Sequence, residues 1–462
     1  MASIIIVGGR VIDPASGTDR VLDVLVTDGL VEAIGPRIAK THASESKARR
    51  PRGRTERTKS ASRSAPTMPD ASVRVIDAHG CLVTPGLIDP HVHLRDPGNE
   101  RAETIASGTR AAVAGGFTSV CCMPNTTPAL DNDAMVQFVL SRAQATGACR
   151  VFPVCAVSKG RHGQELAELG LMARAGAVGF SDDGDCIASA GLMSRALAMV
   201  KATGRALMQH AQEPTMTRNG VMHAGEVATR LDLGGWPRAA EEIIVERDVR
   251  LNASIGCAYH VQHISSGGTV EIIRRARATT SGRVVTGEAS PHHLLLTCDL
   301  IESSGYDTRY KMNPPLRERA DVDALVKGVA DGTITILATD HAPHTPESKE
   351  VPFDSATFGL VGLESALALY IEALVTTGAI DWPRLVELMT INPARLCGLD
   401  VRGLGSLSVG GPADITIIDQ NRAWTLDTGE LAGQSRNTPF LGRKLKGRAI
   451  ATIVDGEVKL ER

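Results

Sequence analysis

PGLIDPHVHLRDPG, residues 85–98, is the stretch on which the reading of this chain turns. A short apolar run ends in two histidines, His91 and His93, with Arg95 and Asp96 directly behind them. Side chains on a strand alternate with period two, so both imidazoles share one face at the strand's end. Such a pair alone is more often met as partly buried polar side chains, and its meaning rests on what recurs downstream.

Apolar, strand-like runs do recur, separated by helix-length segments. After GLIDPHVHL come FTSVCCMPN, RVFPVCAVS, GAVGFSDD, RALMQH, AYHVQHIS, VVTGEASPHH and ITILATDHAPH, with stretches such as GLMSRALAMVKATG and GTVEIIRRARATT between them. Eight such units over roughly 300 residues suit a (β/α)8 TIM-type barrel, an α/β fold whose usual size is about 250 residues or more. A doubly wound open sheet is the alternative, because counting strands does not establish closure.

The two ends of the chain differ from this middle. IIIVGGRVID, DVLVTDGLVEAIG and VRVIDAHGCLVTPG near the start, and ADITIIDQNRAWTL and IATIVDGEVKL near the finish, are short β-type segments. Asp-Gly between apolar runs, in VTDGLVEAIG and IVDGEVKL, is a hairpin signal. Both termini are therefore expected to build one small β-sandwich: residues 1–40, 73–84 and 401–462, with the barrel spanning 85–400. Residues 41–72 are basic and rich in Ser, Thr and Pro, with almost nothing to bury, and are expected to be a disordered insertion.

The formal net charge is −2 over 462 residues, which gives no reason to expect nucleic acid or an anionic membrane as a partner. Nine cysteines without a CxxC pair suit reduced thiols. The N-terminal apolar stretch is too short for a signal segment, and no run approaches a membrane span, so a soluble, cytoplasmic protein is expected.

Polar residues gather at one end of the strand candidates. His91 and His93 close the first, Asp182 and Asp183 the fourth, His210 the fifth, His263 the sixth and Asp340 the eighth. In a barrel these ends form one mouth. Four imidazoles and two carboxylates there suit zinc or a similar divalent ion, with room for one or two. Such an ion polarises carbonyls and acidifies water, and Asp340 is the natural group to shuttle the proton. Arg95 offers a planar fork for a carboxylate, and Asn125, Asn313 and His344 lie where a substrate could be held. Each of these, taken singly, is equally a turn residue that satisfies local backbone.

Together, PGLIDPHVHLRDPG, GGFTSVCCMPNT, GFSDDG, HVQHIS, TGEASPHHLLL, KMNPPLR and ATDHAPH resemble dihydroorotase of the amidohydrolase superfamily, in its longer bacterial form. The resemblance runs from about residue 3 to the C-terminus, excluding the basic insertion. It implies zinc held by His91, His93, Asp183, His210, His263 and Asp340, with Asp340 also the catalytic acid/base. It implies substrate contacts from Arg95, Asn125, Asn313 and His344 and from the backbone near Phe358 and Gly359. The implied reaction interconverts N-carbamoyl-L-aspartate and L-dihydroorotate in pyrimidine synthesis. A homodimer, or an assembly with aspartate transcarbamoylase, is compatible with the resemblance.

Three features depart from the wider pattern. GFSDDG has no lysine to bridge two metals, Thr357 stands where proline is usual, and AQEP follows His210 in place of a CED-type run. The rival readings are another cyclic amidohydrolase (hydantoinase, dihydropyrimidinase or allantoinase) and a non-catalytic scaffold subunit. The first is disfavoured by Arg95, since those substrates lack the carboxylate a guanidinium would hold.

Overall fold

The computed structural model describes residues 3–39, 73–279 and 284–462, so the expectation for residues 41–72 lies outside the described residues. In chain order, β1 is Ile4–Asp13, β2 Thr18–Thr27, β3 Leu30–Gly35, β4 Arg74–Asp77 and β5 Leu82–Pro85. Next come β6 (Leu87–Val92), β7 (Phe117–Cys122), β8 (Arg150–Cys155), β9 (Gly179–Phe180) and β10 (Ala206–Gln209). A small pair, β11 (Met222–His223) and β12 (Gly235–Trp236), precedes β13 (Ala258–Val261), β14 (Val285–Ala289) and β15 (Ile336–Leu337). The last are β16 (Ile415–Thr425), β17 (Lys444–Val454) and β18 (Glu457–Glu461).

Strands β6 to β10 and β13 to β15 form one parallel sheet, in chain order. Their residues are almost all buried, as parallel strands covered on both faces must be. An isolated parallel bridge from Val92 to His341, with His93 N–H donating to the His341 carbonyl at 2.8 Å, joins the first strand to the segment after the last. That contact decides for a barrel over an open sheet. Helices follow the strands, and their ends obey local chemistry. Thr104 and Ser107 form a capping box at the start of Ile105–Gly115, and Gly116 ends that helix at φ 96°, a left-handed conformation that glycine adopts without strain. Ser189 accepts from Leu192 N–H at the start of Ala190–Thr203.

The terminal strands make a second, separate sheet in the order β18-β17-β16-β5-β1-β2-β3, with β4 beside β1. Both Asp-Gly turns join antiparallel neighbours, β2 to β3 and β17 to β18. Ile6, Val24, Val31, Ile415 and Ile453 pack into one cluster although their strands lie far apart in the sheet order. The sheet therefore curls round its own core, and the β2–β3 turn at Gly29 touches the turn at Asp455. Thr416 and Thr452 donate to the carbonyls of Gly116 and Val113, which docks this sheet on the first barrel helix. All nine cysteines are free. Among the described residues no helix is long and apolar enough to cross a membrane.

Candidate active site and metal centre

Asp183 is the hub of the mouth. Its Oδ1 lies 3.3 Å from His91 Nε2, 3.4 Å from His210 Nδ1 and 3.4 Å from His263 Nε2, and its Oδ2 lies 3.5 Å from His93 Nε2. Asp340 Oδ1 is 2.9 Å from His93 Nε2 and 3.5 Å from His91 Nε2. The six residues thus meet from five strand ends, all nearly or fully buried. His91, His93 and Asp340 form one group with metal-ligand spacing; His91, Asp183 and His263 form a second, and His91 belongs to both. Asp182, the neighbour of the hub, turns away: its carboxylate accepts from the N–H groups of Val157 and Ser158 and from the Ser158 hydroxyl.

A divalent ion fits this cluster by the state of its atoms. His91 Nε2 and Asp183 Oδ1 are buried and have no hydrogen-bond partner among the described residues. Three of the imidazoles have their far nitrogen tied to an acceptor. His91 Nδ1 donates to Glu288 at 2.6 Å, His93 Nδ1 to Asn125 at 2.8 Å and His210 Nε2 to Gln212 at 2.9 Å. Each bond fixes the tautomer that leaves a bare lone pair facing inward. His210 Nδ1 and His263 Nε2 then stand only 2.7 Å apart, a contact between nitrogens that a shared cation satisfies.

Electrostatics favour ionised carboxylates here. Burial alone would push both up. For Asp340 the contact with His93 and the neighbouring imidazoles of His91 and His263 prevail and hold it at about 2; Asp183 is held well below the ordinary range by His91, His210 and His263 around it. Arg95 is drawn down by burial to about 10 and stays charged at neutral pH. Three of these residues carry backbone strain: Arg95 at φ 58°, His263 at 28° and Asp340 at 49°.

Beside the cluster opens a cavity of about 300 Å³, lined among others by His93, Arg95, Asn125, Asn313, His344, Phe358 and Gly359. Every candidate residue therefore lies at one place; His91, beneath the others, does not reach the cavity wall. Arg95, part of the cavity lining, is pinned by its Nε to the Pro343 carbonyl (3.2 Å) and by Nη2 to His344 Nε2 (3.4 Å). Asn313 and His210 share the Gln212 Oε1 acceptor, so the AQEP segment orients one residue of each kind. Thr357 N–H and hydroxyl bond to the Ser348 carbonyl; the N–H bond is one that a proline could not make. Gly359 sits at φ 123°, where a Cβ would meet that of Ala342 at 2.7 Å. Its N–H donates to the Lys311 carbonyl and its carbonyl accepts from Lys349 and Asn437, so neither backbone group is left for a ligand.

Several residues of the site escape a reading of the sequence. Glu288 lies inside TGEASPHH, and a carboxylate within a nearly buried strand is the signal that singles it out. His260, Gln212 and Asn437 carry no comparable signal. Asn437 reaches in from near the C-terminus to bond Ala342, Gly359 and His344.

Comparisons with known proteins agree with this geometry. The family described as Dihydro-orotase-like matches residues 80–269. A dihydroorotase of Geobacter sp. (strain M21) is 44% identical over 99% of both chains. One of Anaeromyxobacter dehalogenans (strain 2CP-C) is 46% identical over 98% of this chain and 96% of its own. Among solved structures, the L-hydantoinase (dihydropyrimidinase) of Arthrobacter aurescens superposes with a TM-score of 0.82 at 25% identity, covering 100% of this chain and 96% of that one. A dihydropyrimidinase from Brevibacillus agri NCHU1002, at 22% identity and a TM-score of 0.79, shares the fold. Identity near 45% over essentially the whole length, joined to a His/Asp cluster beside an arginine-bearing cavity, places this chain in the dihydroorotase family.

Proposed function

We propose that the chain is a zinc-dependent dihydroorotase, acting in the cytoplasm on small molecules. It closes N-carbamoyl-L-aspartate to L-dihydroorotate with release of water, and runs the reverse, in de novo pyrimidine synthesis. The observation that carries this reading is Arg95, which opens into the same 300 Å³ cavity as the His/Asp cluster. A cyclic ureide bearing a free carboxylate needs both.

His91, His93, Asp183, His210, His263 and Asp340 would hold one or two ions, a donor set of nitrogen and oxygen atoms that suits zinc. When bound there, zinc supplies Lewis-acid polarisation of the carbonyl and an acidified water. The chain's own residues do the rest. Arg95 takes the carboxylate that stays outside the ring, and Asn125, Asn313 and His344 line the space for the ureide. In ring closure the ureido nitrogen attacks the side-chain carboxyl carbon. Asp340, ionised and held by His93, accepts the proton that this nitrogen sheds. It then returns the proton to the departing oxygen, which takes a second proton from solvent and leaves as water, and ring opening retraces the steps. Phe358, set edge-on to Trp236 at 6.0 Å between ring centroids, walls the cavity and limits water.

A hydantoin or dihydropyrimidine substrate would leave the Arg95 fork without its counter-ion, an unfavourable state for a half-buried guanidinium. A scaffold subunit beside aspartate transcarbamoylase would have no need of six ligands in register. The test is dihydroorotate ring opening by the purified protein as isolated, after chelation and after zinc is restored. Activity lost to chelator and regained with zinc is the expected result. An inactive, zinc-loaded, folded protein would overturn it.

A further inference from the structure

We propose that Glu288 on β14 is a positioning residue for the metal centre: it fixes the tautomer and raises the donor strength of His91. The inference rests on the proposed metal centre but not on the identity of the substrate.

Glu288 has no solvent exposure, and a buried carboxylate persists only where donors satisfy it. Three do. Oε1 accepts from His91 Nδ1 at 2.6 Å and from His263 N–H at 3.1 Å, and Oε2 accepts from His260 Nε2 at 3.0 Å. The Thr286 hydroxyl, two residues back on the same strand face, donates in turn to His260 Nδ1 at 2.9 Å. Gln262 Nε2 also lies 3.2 Å from His91 Nδ1, but its amide is oriented by Ser181, whose hydroxyl donates to Oε1 at 2.7 Å while accepting from Asp183 N–H. The shorter contact to an anion decides that Nδ1 carries the proton. Nε2 is then the bare nitrogen, the atom left without a partner at the cluster.

The three oriented imidazoles are not treated alike. His93 and His210 donate to neutral amide oxygens, of Asn125 and Gln212; His91 donates to a carboxylate. His91 is also the residue common to both ligand groups. An anionic acceptor makes an imidazole a stronger donor than an amide does, so the carboxylate sits where one ligand serves most of the cluster. By bonding the His263 backbone as well, Glu288 ties ligands from two non-adjacent strands, β6 and β13, to one point.

The test measures zinc affinity, by competition with a chromophoric chelator, on the full chain and its Glu288→Gln and Glu288→Ala variants. Gln keeps the shape and an oxygen acceptor without the charge; Ala removes both. Glu288→Gln is expected to weaken zinc binding about tenfold and Glu288→Ala about a hundredfold. The rise in thermal midpoint on adding zinc should shrink in the same order. The metal-free midpoint of Glu288→Gln should stay near that of the parent, which a merely structural role would not leave unmoved. If Glu288→Ala does not fold, Glu288→Gln decides alone. Folded variants that bind zinc within twofold of the parent would overturn the inference. So would a metal-free midpoint that falls as far as the zinc-loaded one. A parent chain that binds zinc yet opens no dihydroorotate ring would defeat the substrate reading and leave this test intact.

Discussion

Asp340 and Arg95 line the same cavity and should fail in different ways. Asp340→Asn keeps the volume but removes the group that takes up the proton. The turnover number for ring opening should fall by about 10²–10⁴, measured alongside metal content, because the same carboxylate faces the ligand cluster. Arg95→Ala should act on binding instead. Loss of a charge-assisted pair is worth roughly 2–3 kcal/mol, about 10²-fold in kcat/KM for dihydroorotate. Activity on dihydrouracil, which lacks the carboxylate, should change far less; an equal loss on both would sink the clamp. The atoms that face the reaction were legible from sequence because they fall at strand ends, where a period-two pattern breaks into His, Asp and Arg. Gln212, His260 and Asn437 were not, because their role exists only through contacts such as that of Gln212 with His210 and Asn313.

The loop that carries Phe358 is held by two buried amines. Lys349 Nζ donates to the carbonyls of Thr357 (2.8 Å) and Gly359 (3.1 Å), and Lys311 Nζ donates to Asp354 and sits 4.5 Å over the Phe358 ring. Burial first, then the charge of Lys311, lowers Lys349 to about 7, while burial holds Lys311 at about 8. An unfolded lysine titrates near 10.4, so from about pH 7 to 10 the unfolded chain binds more protons than the folded one. Stability must therefore rise with pH across that window, by up to about 1.4 kcal/mol per unit for one group, and the penalty is full below pH 7. Lys349→Met should flatten the rise, leaving the part due to Lys311, and loosen the loop enough to raise KM roughly tenfold. Urea midpoints between pH 6.5 and 9.5 read the first; an unchanged slope would show that Lys349 is not the group. Nothing in SATFG predicts this anchoring, because Lys349 lies eight residues before Thr357 and Lys311 on a different segment. The β11–β12 pair escaped for a related reason: strands of two residues have no period to read.

The barrel was legible because strands buried on both faces become continuous apolar runs, and even β9 and β15, the two-residue strands GF and IL, lie within such runs. Closure was not, since it rests on the Val92–His341 bridge across 249 positions. The join between the two sheets was equally hidden. Arg150, at the start of β8, forks onto Asp414 at 2.8 and 3.2 Å and reaches Asp455 in the β17–β18 turn at 3.0 Å. Asp414 is nearly buried and also accepts from Asp455 N–H at 2.7 Å, while its own carbonyl takes the N–H of Gly86 at the entrance to β6. One aspartate thus pins the terminal sheet to the closed end of the barrel, opposite the mouth. Asp414→Ala removes the partner of a largely buried guanidinium and an acceptor for a turn N–H, which should lower stability by about 1–3 kcal/mol. Because the site lies at the other end of the strands, kcat and KM at a temperature where the variant is folded should match the parent. Thermal midpoint and kinetics measured on one preparation separate the outcomes. A variant as stable as the parent would mean the ion pair contributes little to the join; a stable variant with altered KM would mean that the terminal sheet sets the geometry of the mouth.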